Sequence, residues 1–206
     1  MQFVSHNKAQ LMHMLLFTAL ISLALVTGCA STKIETTGLR LKEPLCSTNE
    51  PVVSTLVFWG PQWRLDQKEP HLREAAALRG IQDFLSRAGC VKVIEIRRLS
   101  WEIQPPSNEE LLRLASESTP EPDRVLLIVV HELGPRLVIG IPAILEGGTE
   151  VLIDVRVLNP RTSESLASTR TLWRNGGKFV IKGIKTLNQD ISSALSSVLM
   201  PEVSVK

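Results

Sequence analysis

A chain of 206 residues, 44% hydrophobic and 21% charged, is long enough for one well-packed domain and too apolar for wholesale disorder. Its 23 Lys and Arg against 21 Asp and Glu leave a formal charge of +2, which excludes a general attraction for nucleic acid or anionic lipid.

Residues 1–14 carry one fixed positive charge, Lys8, with His6 and His13 nearby, and residues 15–26 (LLFTALISLALV) are uncharged and apolar. A bilayer-spanning helix needs about twenty apolar residues, so this shorter run has the length of a signal-peptide core. It ends in Val26-Thr27-Gly28-Cys29. That tetrapeptide resembles the lipobox of bacterial lipoproteins; the alternatives are a plain secretory signal or an uncleaved membrane helix. The resemblance implies a diacylglyceryl group on the Cys29 thiolate, cleavage between Gly28 and Cys29, and acylation (palmitate or a similar chain) of the freed amine. Two or three acyl chains hold a protein firmly where one holds it marginally. Ala30 follows the cysteine, which by the family's sorting rule implies the outer membrane and a domain facing the periplasm. Cleavage would remove only Lys8 among the charges, leaving 22 cations against 21 carboxylates.

The expected organisation is a signal peptide at 1–28, a lipidated cysteine and flexible tether at 29–50, a periplasmic domain at 51–200 and a tail at 201–206. Residues 30–50 are rich in Ser and Thr, with Gly38 and Pro44, and show little core-forming pattern. Cys46 and Cys90 each precede a predicted strand, and an oxidising compartment makes them a candidate disulfide against the alternative of two buried thiols.

Within the domain, residues 52–59 (VVSTLVFW) form a nearly continuous apolar run, the pattern of a buried strand, ended by Gly60-Pro61. Leu72, Ala75, Ala76, Ile81, Phe84, Leu85 and Ala88 recur at helical spacing, with Pro70 at the start and Gly89 as the stop. A second strand covers 91–99. Ser107 and Glu110 have capping-box spacing and open a short helix to about residue 118. Residues 124–133 (RVLLIVVHEL) are the strongest strand signal; Gly134-Pro135 predicts a turn into a strand at 136–145, where Pro142 argues for an edge or a bulge. Glu146-Gly147-Gly148 predicts another turn. Strands at 151–158 and 166–173 flank a hairpin loop at 159–163. After Asn175-Gly176-Gly177, a last helix is expected over 180–200 on the stripe Val180, Ile184, Leu187, Ile191, Leu195 and Val198.

This order predicts a single two-layer α/β (α+β) domain: a mixed sheet with an antiparallel C-terminal meander and helices packed on one face. The hairpin pattern V-x-I-x-V-x-V-x-N-P-R-T-x-E-x-x-A ending at Trp173 resembles the small domain of lipoproteins that activate penicillin-binding proteins, of curli-export lipoproteins, and of the TolB amino-terminal domain. The resemblance spans roughly 52–199. It lacks the curli family's membrane-inserting segments and the activators' long Pro-rich tether.

Chemistry is sparse. His131-Glu132 begins an H-E-x-x-H pattern, but Pro135 stands where the second histidine is required, so no metal site is expected and His131 is taken as a hydrogen-bonded structural residue. There is no G-x-S-x-G, Walker or G-x-G-x-x-G motif, Glu109 and Glu110 suit a helix start, and tyrosine is absent. No enzyme and no cofactor are expected. Trp59, Trp63 and Arg64 (in WGPQWR) and Trp101 follow the first two strands, where a mixed sheet gathers its loops, and form a candidate partner-binding cluster; the alternative is tryptophans capping the core. The expected role is a non-catalytic protein-binding or assembly factor of the cell envelope, with strand addition at 136–145 as one mode. Its rival is a small-molecule- or lipid-binding accessory of an envelope transport system. The rival requires an apolar pocket between sheet and helices; partner binding requires a filled core and an exposed apolar patch.

Overall fold

Side-chain alternation on two strands organises the molecule. On β2 (Val53–Pro61), Val57 and Trp59 enter one apolar cluster while Leu56 and Phe58 enter another; on β4 (Arg124–Gly140), Leu126, Ile128 and Val130 join the first and Val125, Leu127 and Val129 the second. Strands buried on both faces must be apolar at every position. The computed structural model describes residues 30–47, 51–101, 103–140, 144–178 and 180–201. The signal peptide, the cleavage site, Cys29 and Pro142 lie outside the described residues.

The remaining elements are β1 (Ser31–Leu39), α1 (Pro70–Ala88), β3 (Val91–Arg98), α2 (Asn108–Ser116), β5 (Ile144–Asn159), β6 (Glu164–Lys178), a 3-10 turn at Ile184–Thr186 and α3 (Leu187–Leu199). They build one α+β domain on a mixed six-stranded sheet of order β1-β6-β5-β4-β2-β3, in which β2 runs parallel to β3 and β4 and all other pairs are antiparallel. Helices α1 and α3 supply Ala77, Ile81, Phe84, Ile191 and Leu195 to the large cluster; the nine-residue α2 supplies Leu111 and Ala115 to the smaller one. Local chemistry sets the helix ends. Pro70 opens α1, Gly89 closes it at φ 68°, and the Ser107 hydroxyl accepts from Glu110 N at 3.2 Å. No helix among the described residues is long and apolar enough to cross a membrane.

Four stretches differ from expectation. Residues 31–39, expected within the tether, form β1, in register from Ser31 opposite Gly176 to Leu39 opposite Ser168. Its side chains are almost all exposed, so the strand is held by backbone pairing and by contacts such as Thr36 Oγ1 to Thr171 Oγ1 at 3.1 Å, which leave no hydrophobic alternation to find. Second, β4 runs straight through Gly134-Pro135 to Gly140, with a register shift between Val130 and Glu132. The partner on its other side, β2, pairs no further than Val130, so the missing N–H of Pro135 costs no ladder bond there. Third, the two glycine pairs predicted as turns lie inside β5 and β6, Gly147 opposite Gly177 and Gly148 opposite Gly176. A Cβ on Gly148 (φ 155°) would collide with Asn175 O, so these strands approach closely only because side chains are absent. Finally, α3 begins at Leu187, and Val180 and Ile184 precede it.

Cys46 and Cys90 are joined, with Cα atoms 5.8 Å apart, and Leu45 N donates to Leu199 O at 2.8 Å beside them. Where α1 crosses α3, a Cβ on Gly80 would strike Ile191 Cγ2 and the Asn188 carbonyl. Gly80→Ala should therefore destabilise by about 2 kcal/mol, although alanine raises helix propensity by roughly 1 kcal/mol. A urea melt that shows stabilisation would mean the helices separate at no cost.

Candidate functional site

Past Val130, one side of β4 has no strand beside it, and its backbone needs other partners. Arg73, 8% exposed on the first turn of α1, donates from Nη1 to the Leu133 carbonyl and, at 3.0 Å, to Glu132 Oε1; its Nε donates to Lys68 O at 2.7 Å. Gly134 makes room: any Cβ there would overlap the guanidinium. Glu132 also receives Arg64 Nη2 at 3.0 Å and Gln67 Nε2 at 3.2 Å. Farther along the same ribbon, Arg174 Nε donates to Glu150 Oε2 at 2.6 Å, and Arg136 Nε lies 3.8 Å from that oxygen.

Together these residues line a groove of about 470 Å³ in which Arg64, Lys68, Arg73, Arg136 and Arg174 face Asp66, Glu132 and Glu150. Five cations against three carboxylates leave donor N–H groups over. Planar guanidinium forks of this kind suit carboxylate or phosphate groups on a partner. Nothing in the groove pairs a nucleophile with a base, and among the described residues no cluster of His, Cys, Asp and Glu could hold a metal ion.

A second polar cluster lies on β4, β5 and β6. His131 Nε2–H donates to Asp154 Oδ2 at 2.8 Å, and Arg170 donates to both Asp154 oxygens at 2.7 Å. Burial alone would raise the Asp154 carboxyl, but the hydrogen bonds from His131 and Arg170 outweigh it and hold its pKa down to about 2. An unfolded aspartate titrates near 3.9. The folded value is the lower one, so this stabilisation is complete above about pH 4 and is lost as pH falls through about 2. Its size is about 2 kcal/mol. Urea titrations across that window should show the loss in the wild type, and Asp154→Asn should remove this share of the slope; equal slopes would show that the cluster is not coupled to folding.

The predicted cluster is divided between the two apolar clusters of the sheet. Trp59 is 2% exposed in the large core cluster, and Trp63 packs partly buried against that cluster. Trp101 packs with the smaller cluster on the other side of the sheet, where its ring occupies the space a Cβ on Gly60 would need. Arg64 alone enters the groove, with 68% of its side chain exposed. Sequence reasoning passed over Arg73, Arg136, Glu150 and Arg174, and noted Glu132 only within the broken H-E-x-x-H pattern. No local signal marks them, because their pairing joins α1, β4, β5 and β6.

No family model matches the chain, and no curated protein resembles it in sequence. Several solved structures are similar in fold. The PelC dodecamer from Paraburkholderia phytofirmans is 12% identical, with a TM-score of 0.43 over 82% of this chain and 98% of that one. Lipoprotein GNA1162 from Neisseria meningitidis is 14% identical, with a TM-score of 0.37 over 70% and 97%. XCC0632 from Xanthomonas campestris, of the DUF330 family model, is 13% identical, with a TM-score of 0.36 over 78% and 89%.

Proposed function

We propose that the chain is an envelope lipoprotein, anchored through Cys29 in the outer membrane on its periplasmic side, whose domain is a non-catalytic binding or assembly factor. The anchor rests on the apolar run ending in Val26-Thr27-Gly28-Cys29. A disulfide between Cys46 and Cys90 accords with an oxidising compartment. The binding role rests on one observation above the others: the space between sheet and helices is filled. Val57, Ile81, Ile128, Ile153, Ile191 and Leu195 are wholly buried there, which disfavours a ligand pocket in the core and leaves the outer surface for recognition. The cationic groove carrying Arg64 is the contact surface of this reading, and an acidic segment of a partner protein is its complement.

Photo-crosslinking in intact cells, with the probe beside the groove, tests the assignment. One envelope protein captured by the wild type and by Glu117→Ala, but lost in Arg64→Ala, is the expected result. Capture that is indifferent to the groove variant would remove the groove from the interface. Palmitate labelling of the wild type, absent from Cys29→Ser, tests the anchor.

A further inference from the structure

The alternating apolar face of β4 outruns the helices that cover it. Leu133 is buried, but Leu137 and Ile139, next on the same face, are 56% and 74% exposed. Ile181, 77% exposed, lies close by: the position a Cβ on Gly147 would take is 3.3 Å from Leu137 Cδ1 and in collision with the Val180 carbonyl. An uncovered apolar strip at the end of a hairpin is uncommon on a soluble surface.

The register of β1 says what lies beside it. Ser31, Gly176, Gly148 and Arg136 share one row across four strands, and followed backwards from Ser31 the chain heads toward the end of the sheet that holds Lys178 opposite Glu146 and Glu146 opposite Val138. Cys29 is two residues from Ser31, and so within about 7 Å of it by chain length alone. Only Ala30 stands between Cys29 and the first residue of β1. Charge gathers there too. Lys33, Arg136, Arg174, Lys178 and Lys182, the last bonded to Asn175 Oδ1, stand against Glu146 and Glu150.

We propose that this end is a membrane-docking face. Leu137, Ile139 and Ile181 enter the headgroup region of the leaflet that carries the acyl chains of Cys29, and the Lys33, Lys178 and Lys182 side chains meet its phosphates. The inference rests on the anchoring reading for where the membrane lies. It holds the domain against the bilayer and places the Arg64 groove near the membrane surface, within reach of a partner's juxtamembrane segment.

The test uses the full-length lipidated protein on vesicles of phosphatidylethanolamine and phosphatidylglycerol. Hydrogen exchange is followed at 136–140 and 180–185, beside Leu137→Asp/Ile139→Asp, whose altered positions are exposed and leave the core intact. The wild-type segments are expected to exchange roughly tenfold more slowly than those of the vesicle-bound variant. Equal exchange in the two proteins would overturn docking. Protection that fades as protein is diluted over more lipid would mark contact between copies and overturn it as well. An N-terminal peptide without acyl mass sinks the anchoring reading by itself; docking is still decided by the exchange difference on the same vesicles.

Discussion

Replacing Cys46 and Cys90 with serine is expected to lower the unfolding free energy by about 4 kcal/mol. The bridge closes a loop of 44 residues that contains β2 and all of α1, so in the unfolded chain it removes a large set of conformations. In the folded protein it ties the segment after β1 to the junction of α1 and β3, where both cysteines are buried. Leu45 is buried in the large core cluster next to the bridge, and its N–H is bonded to the last carbonyl of α3. Paired urea melts of the oxidised protein and the double variant measure the difference directly. A loss below about 1 kcal/mol would mean that the unfolded chain is already restricted there, or that packing of residues 40–47 does the work alone.

Arg73→Ala is the second large effect, with an expected loss of about 3 kcal/mol. Its guanidinium replaces a missing strand: it supplies the donor that the Leu133 carbonyl would otherwise have received from a neighbour on that side of β4. Alanine leaves that carbonyl without its donor and strips Glu132 of its most buried cation. Arg64 and Gln67 still reach Glu132, which keeps the loss below that of an isolated buried charge. The companion variant is Arg64→Ala, whose cation is mostly exposed; a change within about 1 kcal/mol is expected for it. Similar losses for the two, measured by chemical denaturation, would show that the carboxylate and not the backbone carbonyl is what Arg73 serves.

Much of the architecture is visible locally. The runs at 52–59, 91–99, 124–133, 151–158 and 166–173 are strands in the molecule, and the stripe from Leu72 to Ala88 is α1, because burial on one or two faces imposes a short period that a few residues already display. The misplaced turns share one cause. Gly134-Pro135 and the two glycine pairs carry turn chemistry, yet Pro135 faces a side of β4 without a strand, and the glycines serve close strand approach. Whether a glycine or proline breaks a strand depends on what stands next to it, and a window of neighbours in sequence does not contain that.

By itself the sequence determined the lipobox-like motif, the mixed α+β class and the two cysteines available to bridge, since each follows from residues close together or from composition. Only the tertiary structure decided that residues 31–39 join the sheet, that Arg73 and Glu132 meet at the open side of β4, and that cations collect around an apolar hairpin. The physical reason is common to all three. They depend on backbone groups left without a strand partner and on charges from β1, β4 and β6 brought into neighbouring rows, and a near-neutral total of 23 cations against 21 carboxylates carries no trace of that arrangement.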